Sequence, residues 1–108
     1  MWLVRDGDVL ATLEVADSAR GRSKGLLGRD GIEGALLLRP ARSVHTIGMR
    51  FPIDVAFLDG ALAVLATVTM RPGRIGMPRL GARAVIEAEA GAFARWSLRV
   101  GDQLEIKG

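Results

Sequence analysis

The sequence predicts a mostly β domain, a small β-sandwich or barrel-like fold with one or two short helices. Three observations carry this. Several short apolar segments alternate with a period of two, as at Val9, Ala11, Leu13 and Val15 and again at Ala84, Ile86 and Ala88. Glycine and proline punctuate the chain at short intervals, with 14 Gly and 4 Pro. Only one or two short helices, over residues 18–27 and around residues 92–96, fit between these segments. The 108 residues fit one domain, residues 1–108. A chain of this size buries about 65% of the surface its unfolded form exposes, enough for a core without metal or disulfide.

In order along the chain, residues 9–15 read as the first strand. Asp17 and Ser18 offer side-chain oxygens to the unpaired amides of a first helical turn, so a helix is expected over residues 18–27, weakened by Gly21 and Gly25 and stopped at Gly28. Leu36, Leu37 and Leu38 form a run too short for a helix and halted by Pro40, hence a buried strand over residues 35–39. Residues 53–58 and 61–70 are apolar and partly β-branched. Asp59-Gly60 between them suits a two-residue hairpin turn, because both residues tolerate positive φ. The two prolines and three glycines of residues 71–81 require an irregular loop. A strand over residues 84–89, a helical turn over residues 92–96 and a last strand over residues 103–107 complete the pattern.

Composition excludes several classes of function. There is no cysteine, so disulfides, thiolate nucleophiles and cysteine-ligated zinc do not arise. With a single histidine, His45, and scattered acids, no metal site or cofactor is expected. No apolar run approaches the roughly 20 residues of a membrane span. The early charges Arg5, Asp6 and Asp8 do not fit a signal peptide, so a cytoplasmic location is expected. Net charge is +3, and arginine outnumbers lysine 13 to 2. Nucleic-acid binding is expected to be weak at most, since Tyr is absent and aromatic residues are 5% of the chain.

The candidate site lies in residues 42–54, the run Arg-Ser-Val-His-Thr-Ile-Gly-Met-Arg-Phe-Pro-Ile-Asp. Asp54 interrupts an apolar strand, where a buried carboxylate must be paired or hydrogen-bonded; Arg50, Arg22 and His45 are the partners within reach of the argument. His45 is a possible acid–base group, though Ser43 stands too far along a strand for direct activation and no nucleophile-elbow pattern occurs. His45, Met49, Arg50 and Asp54 could instead line a cleft, bordered by Arg74 in the Pro/Gly loop. The structural alternative is that Asp54 only clamps backbone near Pro52. Three functions follow: a module binding a small molecule or protein partner; a metal-independent hydrolase or lyase using His45 and Asp54; a weak nucleic-acid binder acting through Arg71, Arg74, Arg79 and Arg83.

Residues 42–60 resemble the prokaryotic domain-of-unknown-function family 192. The likeness extends upstream through Ala16-Asp17-Ser18 and the run from Arg22 to Arg29, where Lys24 stands for the usual Arg and Leu27 for the usual Met. Downstream it takes in residues 84–91 and Val100-Gly101-Asp102, similar to the family's Val-Leu-Glu strand and closing Gly-Asp turn. The resemblance implies a β-rich fold with a short helix and no established activity.

Overall fold

Asp6 and Gly7, both at positive φ (52° and 82°), join β1 (Trp2–Arg5) to β2 (Asp8–Ala16) in a tight hairpin turn. This opening hairpin, in the computed structural model that describes all residues from Met1 to Gly108, is not anticipated by the sequence pattern, which starts the first strand at residue 9. β2 is long and shared. Its first half pairs antiparallel with β1, and its second half pairs parallel with β3 (Ala35–Leu38). The crossover carries α1 (Ala19–Lys24). Ser18 caps it, its hydroxyl accepting from the Gly21 amide at 3.0 Å.

α1 ends at Gly25, three residues before the expected stop at Gly28. Gly25 takes φ 47° and ψ −124°, a conformation that side-chain-bearing residues avoid, and its amide closes the last turn on the Gly21 carbonyl. β4 (Ile53–Leu58), β5 (Val64–Met70) and β6 (Ala84–Glu89) fall where the sequence places strands. The β4–β5 connection is wider than a two-residue turn. Asp59 Oδ1 accepts from the amides of Ala61 and Ala63, both at 2.9 Å, and the positive φ falls on Leu62. α2 (Ala92–Arg95) and β7 (Glu105–Lys107) end the chain.

The strands form one sheet in the order β5-β4-β6-β3-β2-β1-β7. It curls until its outer strands meet. Ala63 bridges Gln103, and the Val64 amide donates to the Asp102 carbonyl at 2.9 Å. The result is the barrel-like, mostly β architecture that the sequence predicts. Period-two alternation then sorts the side chains. Leu37, Ala56, Leu58, Ile86 and Ala88 face the inside of the curl, against Leu3, Phe93 and Leu104. Leu36, Leu38, Val55, Phe57 and Val85 face outward, covered by Leu26, Ile32 and Met49. Every residue of β4 is buried, which explains its nearly continuous apolar composition.

Candidate functional site

A polar residue inside a doubly covered strand must find partners on whichever face it points to. Asp54 points inward, and it finds three. Thr69 Oγ1 donates to Asp54 Oδ1 at 2.7 Å, while the amides of Gly91 and Phe93 donate to Oδ2 at 3.0 and 3.1 Å. α2 begins at Gly91, which has no side chain to cap it, so Asp54 supplies the cap from a strand. None of Arg50, Arg22 and His45 is among these partners. Arg50 is exposed and pairs with Asp30 at 2.9 Å.

His45 and Met49 lie on the other face of the sheet. Both line an open cleft of about 440 Å³ between the end of α1 and residues 40–49, a size suited to a small organic molecule. Arg74 lies outside it, in the loop after β5. The structure thus brings together two of the five candidate residues, and it leaves Asp54 and His45 on opposite faces without a common cavity.

The floor of the cleft carries a residue that sequence reasoning missed. Glu87 sits in β6 between Leu36 of β3 and Val55 of β4, at the centre of the sheet. It is 2% exposed, and its Oε1 makes no hydrogen bond within the protein. Burial pushes its carboxyl up to about 7; the positive charge of Arg29 only partly opposes this. Arg29 is itself held by Glu14, at 2.8 and 3.2 Å. Gly25 lies against the carboxyl. A Cβ at that position would stand 3.5 Å from Glu87 Oε1.

The rim is basic. Arg22, Lys24 and Arg42 line it with His45. Arg22 donates to the Asp17 carbonyl at 2.7 Å, and none of the three enters the protein's ion pairs, which join Arg5–Asp102, Arg29–Glu14, Arg50–Asp30 and Arg95–Glu89. Glu87 is the one acidic residue in the lining. No group of three or more His, Asp or Glu residues stands close enough to hold a metal ion.

Thr46, fully buried, fixes the wall that bears His45. Its Oγ1 donates to the Arg71 carbonyl at 2.6 Å and accepts from the Arg74 amide at 2.9 Å; its own amide donates to the Arg74 carbonyl at 2.7 Å. Thr46→Val keeps the shape and removes both hydroxyl bonds, leaving the Arg71 carbonyl and the Arg74 amide without their side-chain partner. We expect a loss of about 2 kcal/mol. Hydrogen exchange should quicken at Gly73, Arg74 and Gly76 and stay slow in β3, β4 and β6.

The fold defines a class, that of small, curled, mostly β domains. The chain belongs to domain-of-unknown-function family 192, described as an uncharacterized ACR, whose model matches residues 2–106. A relative from Pyrococcus abyssi, a UPF0127 protein, is 32% identical over 86% of this chain and 84% of its own length. A UPF0127 protein of Thermococcus sibiricus is 29% identical over 86% of this chain; the match spans 64% of that protein, just under two thirds. A solved structure of a protein of unknown function from Novosphingobium aromaticivorans shares the fold, with TM-score 0.77 and 23% identity, covering 87% of this chain and 74% of that one. No helix of the protein is long and apolar enough to cross a membrane.

Proposed function

We propose that the protein is a binding module whose cleft takes a small organic anion carrying a second polar group, such as a hydroxycarboxylate or a phosphate monoester. The observation that carries this reading is the buried, unpartnered Glu87 Oε1 at the floor of an open cleft. An uncompensated carboxyl destabilises a core, and groups of this kind concentrate where a ligand completes their hydrogen bonding. In its neutral form Glu87 donates one hydrogen bond to the deep end of the ligand. The three basic side chains without acidic partners hold the anionic end at the rim. Leu26, Leu38 and Met49 supply the apolar walls.

His45 is the one histidine of the chain and stands at the rim, so its ring-proton NMR signals report on the cleft without assignment. Titration near pH 7 with short hydroxycarboxylates and phosphate monoesters should shift these signals saturably for at least one compound. Glu87→Met should stay folded and abolish the shift. If no compound moves the signals, or if Glu87→Met binds as the wild type does, the reading fails.

A second reading follows from the same carboxyl. A glutamate poised at about 7 is suited to general acid–base work on a bound substrate. Recovery of the bound compound chemically unchanged after long incubation separates binding from catalysis.

A further inference from the structure

Residues 71–81 present an unusual surface. Ile75 and Met77 are 74% and 76% exposed, and Leu80 is fully exposed. These side chains continue onto the sheet edge. Val68 shares a groove with Ile75 and Met77, and Leu65 Cδ1 lies 3.8 Å from where a Cβ of Gly81 would stand. Arg71, Arg74 and Arg79 line the same groove, Arg83 follows just after the loop, and none of the four enters an ion pair. No acidic residue occurs between Asp59 and Glu87. The loop is held in place. The Gly73 amide donates to the Thr46 carbonyl at 2.8 Å, that of Gly76 to Val44 at 2.8 Å, and that of Arg79 to Arg42 at 3.2 Å.

We infer that this loop docks the protein on a membrane surface rich in anionic phospholipid, with Ile75, Met77 and Leu80 entering the headgroup region and the arginines meeting lipid phosphates. Protruding aliphatic side chains ringed by unpaired cations match such a surface in both chemistries. A second copy fits poorly. Beyond its junction at Ala63 and Val64 the edge of β5 is unpaired, but a second copy would bring like-charged arginine-rich surfaces together with no acidic residue between Asp59 and Glu87 to offset them. Single-stranded nucleic acid would supply phosphates, yet the patch offers no aromatic side chain for bases to stack on. Preformed loop geometry also lowers the ordering entropy of docking.

The test is co-sedimentation of the full chain with vesicles of phosphatidylcholine alone, or of phosphatidylcholine with phosphatidylglycerol, at low and high salt. The protein should sediment with the anionic vesicles, remain free with the neutral ones, and be released by salt. Arg71→Gln with Arg74→Gln should weaken partitioning roughly 30-fold. Arg79 is left in place because its guanidinium covers the Phe57 ring, 5.2 Å from the centroid. Ile75→Ser, Met77→Ser and Leu80→Ser combined should reduce sedimentation to background. All five positions are exposed, and thermal melts of the variants check that the fold is kept. The inference is overturned by absence of sedimentation with anionic vesicles. It is equally overturned if the triple serine variant sediments like the wild type, or if wild type and triple variant bind a single-stranded oligonucleotide or polyglutamate as strongly as the vesicles.

Discussion

Glu87→Gln should make the protein more stable above pH 7 and leave it nearly unchanged at pH 4.5 and below. The folded carboxyl titrates at about 7 and the ordinary value is 4.5. Below 4.5 both folded and unfolded chains carry the proton, and the group adds no pH-dependent term. Between 4.5 and 7 the unfolded chain releases its proton while the folded chain keeps it, so stability falls as pH rises. Above 7 both are ionised, and the folded state bears the full burden of a buried charge. The displacement corresponds to about 3 kcal/mol. Glutamine cannot ionise, so its stability curve omits that descent. Glu14 and Asp102 slope the other way. The Arg29 side chain holds the Glu14 carboxyl low by hydrogen bonding, and the Arg99 amide, aided by Arg5, does the same for Asp102. Their stabilisation is present at neutral pH and lost as acid protonates the folded carboxyls. Because these groups are common to both proteins, the difference between urea midpoints at pH 4.5 and pH 8 isolates Glu87. Parallel curves across this range would show that the buried carboxyl does not carry the penalty.

Asp54→Ala should be the most destabilising single change on the inner face. It removes the acceptor for the Thr69 hydroxyl and for the amides of Gly91 and Phe93, all in a site where Asp54 is 4% exposed. Hydrogen bonds to charged groups and stranded buried donors together amount to about 4 kcal/mol. For a domain of this length the melting temperature should fall by on the order of 20 °C. Asp54→Asn keeps one carbonyl acceptor and should lose about half as much. Phe93 and Trp96 pack with ring centroids 5.6 Å apart and planes tilted by 40°, so release of α2 should also alter Trp96 fluorescence. An Asp54→Ala protein that melts like the wild type would show that the cap contributes nothing and would reopen a role for the carboxylate in binding or chemistry.

The difference between these two acids marks how far the sequence could be read. Alternation of apolar residues places β2 and β6, whereas β3 and β4, buried along their whole length, are legible as short apolar runs bounded by turn residues. The Ser18 cap was visible because an N-cap needs a particular oxygen one residue before a helix. The end of α1 was not, since both Gly25 and Gly28 adopt positive φ and only tertiary packing selects between them. Asp-Gly suggests a two-residue turn at residues 59–60, where the Asp59 carboxylate instead organises a longer loop; the tight Asp-Gly turn lies at residues 6–7, in a hairpin the pattern does not anticipate. Asp54 drew attention as a lone charge in an apolar run. Glu87 did not, because Glu89 follows it two residues later and an alternating acid looks like a solvated face. What buries Glu87 and leaves Glu89 exposed is the cover laid over the outer face by α1 and residues 40–49. That cover comes from far along the chain and leaves no trace in the alternation of β6, where only the likeness of Val85-Ile86-Glu87 to the family's Val-Leu-Glu run sets the residue apart. The cleft rim was hidden for the same reason, as Arg22, Lys24, Arg42 and His45 belong to two separated segments.

The three partners of Asp54 lie 15, 37 and 39 residues away in sequence. A four-residue helix has no stability of its own and nucleates unfavourably. α2 must therefore wait for β4, β5 and β6 to assemble before its first amides find an acceptor. The last helix of the chain is thus expected to form late in folding, and the carboxylate that caps it acts as a checkpoint. Only a correctly registered sheet presents Asp54 to Gly91, so a strand slipped by one residue would turn the cap to the opposite face and leave the C-terminal segment undocked.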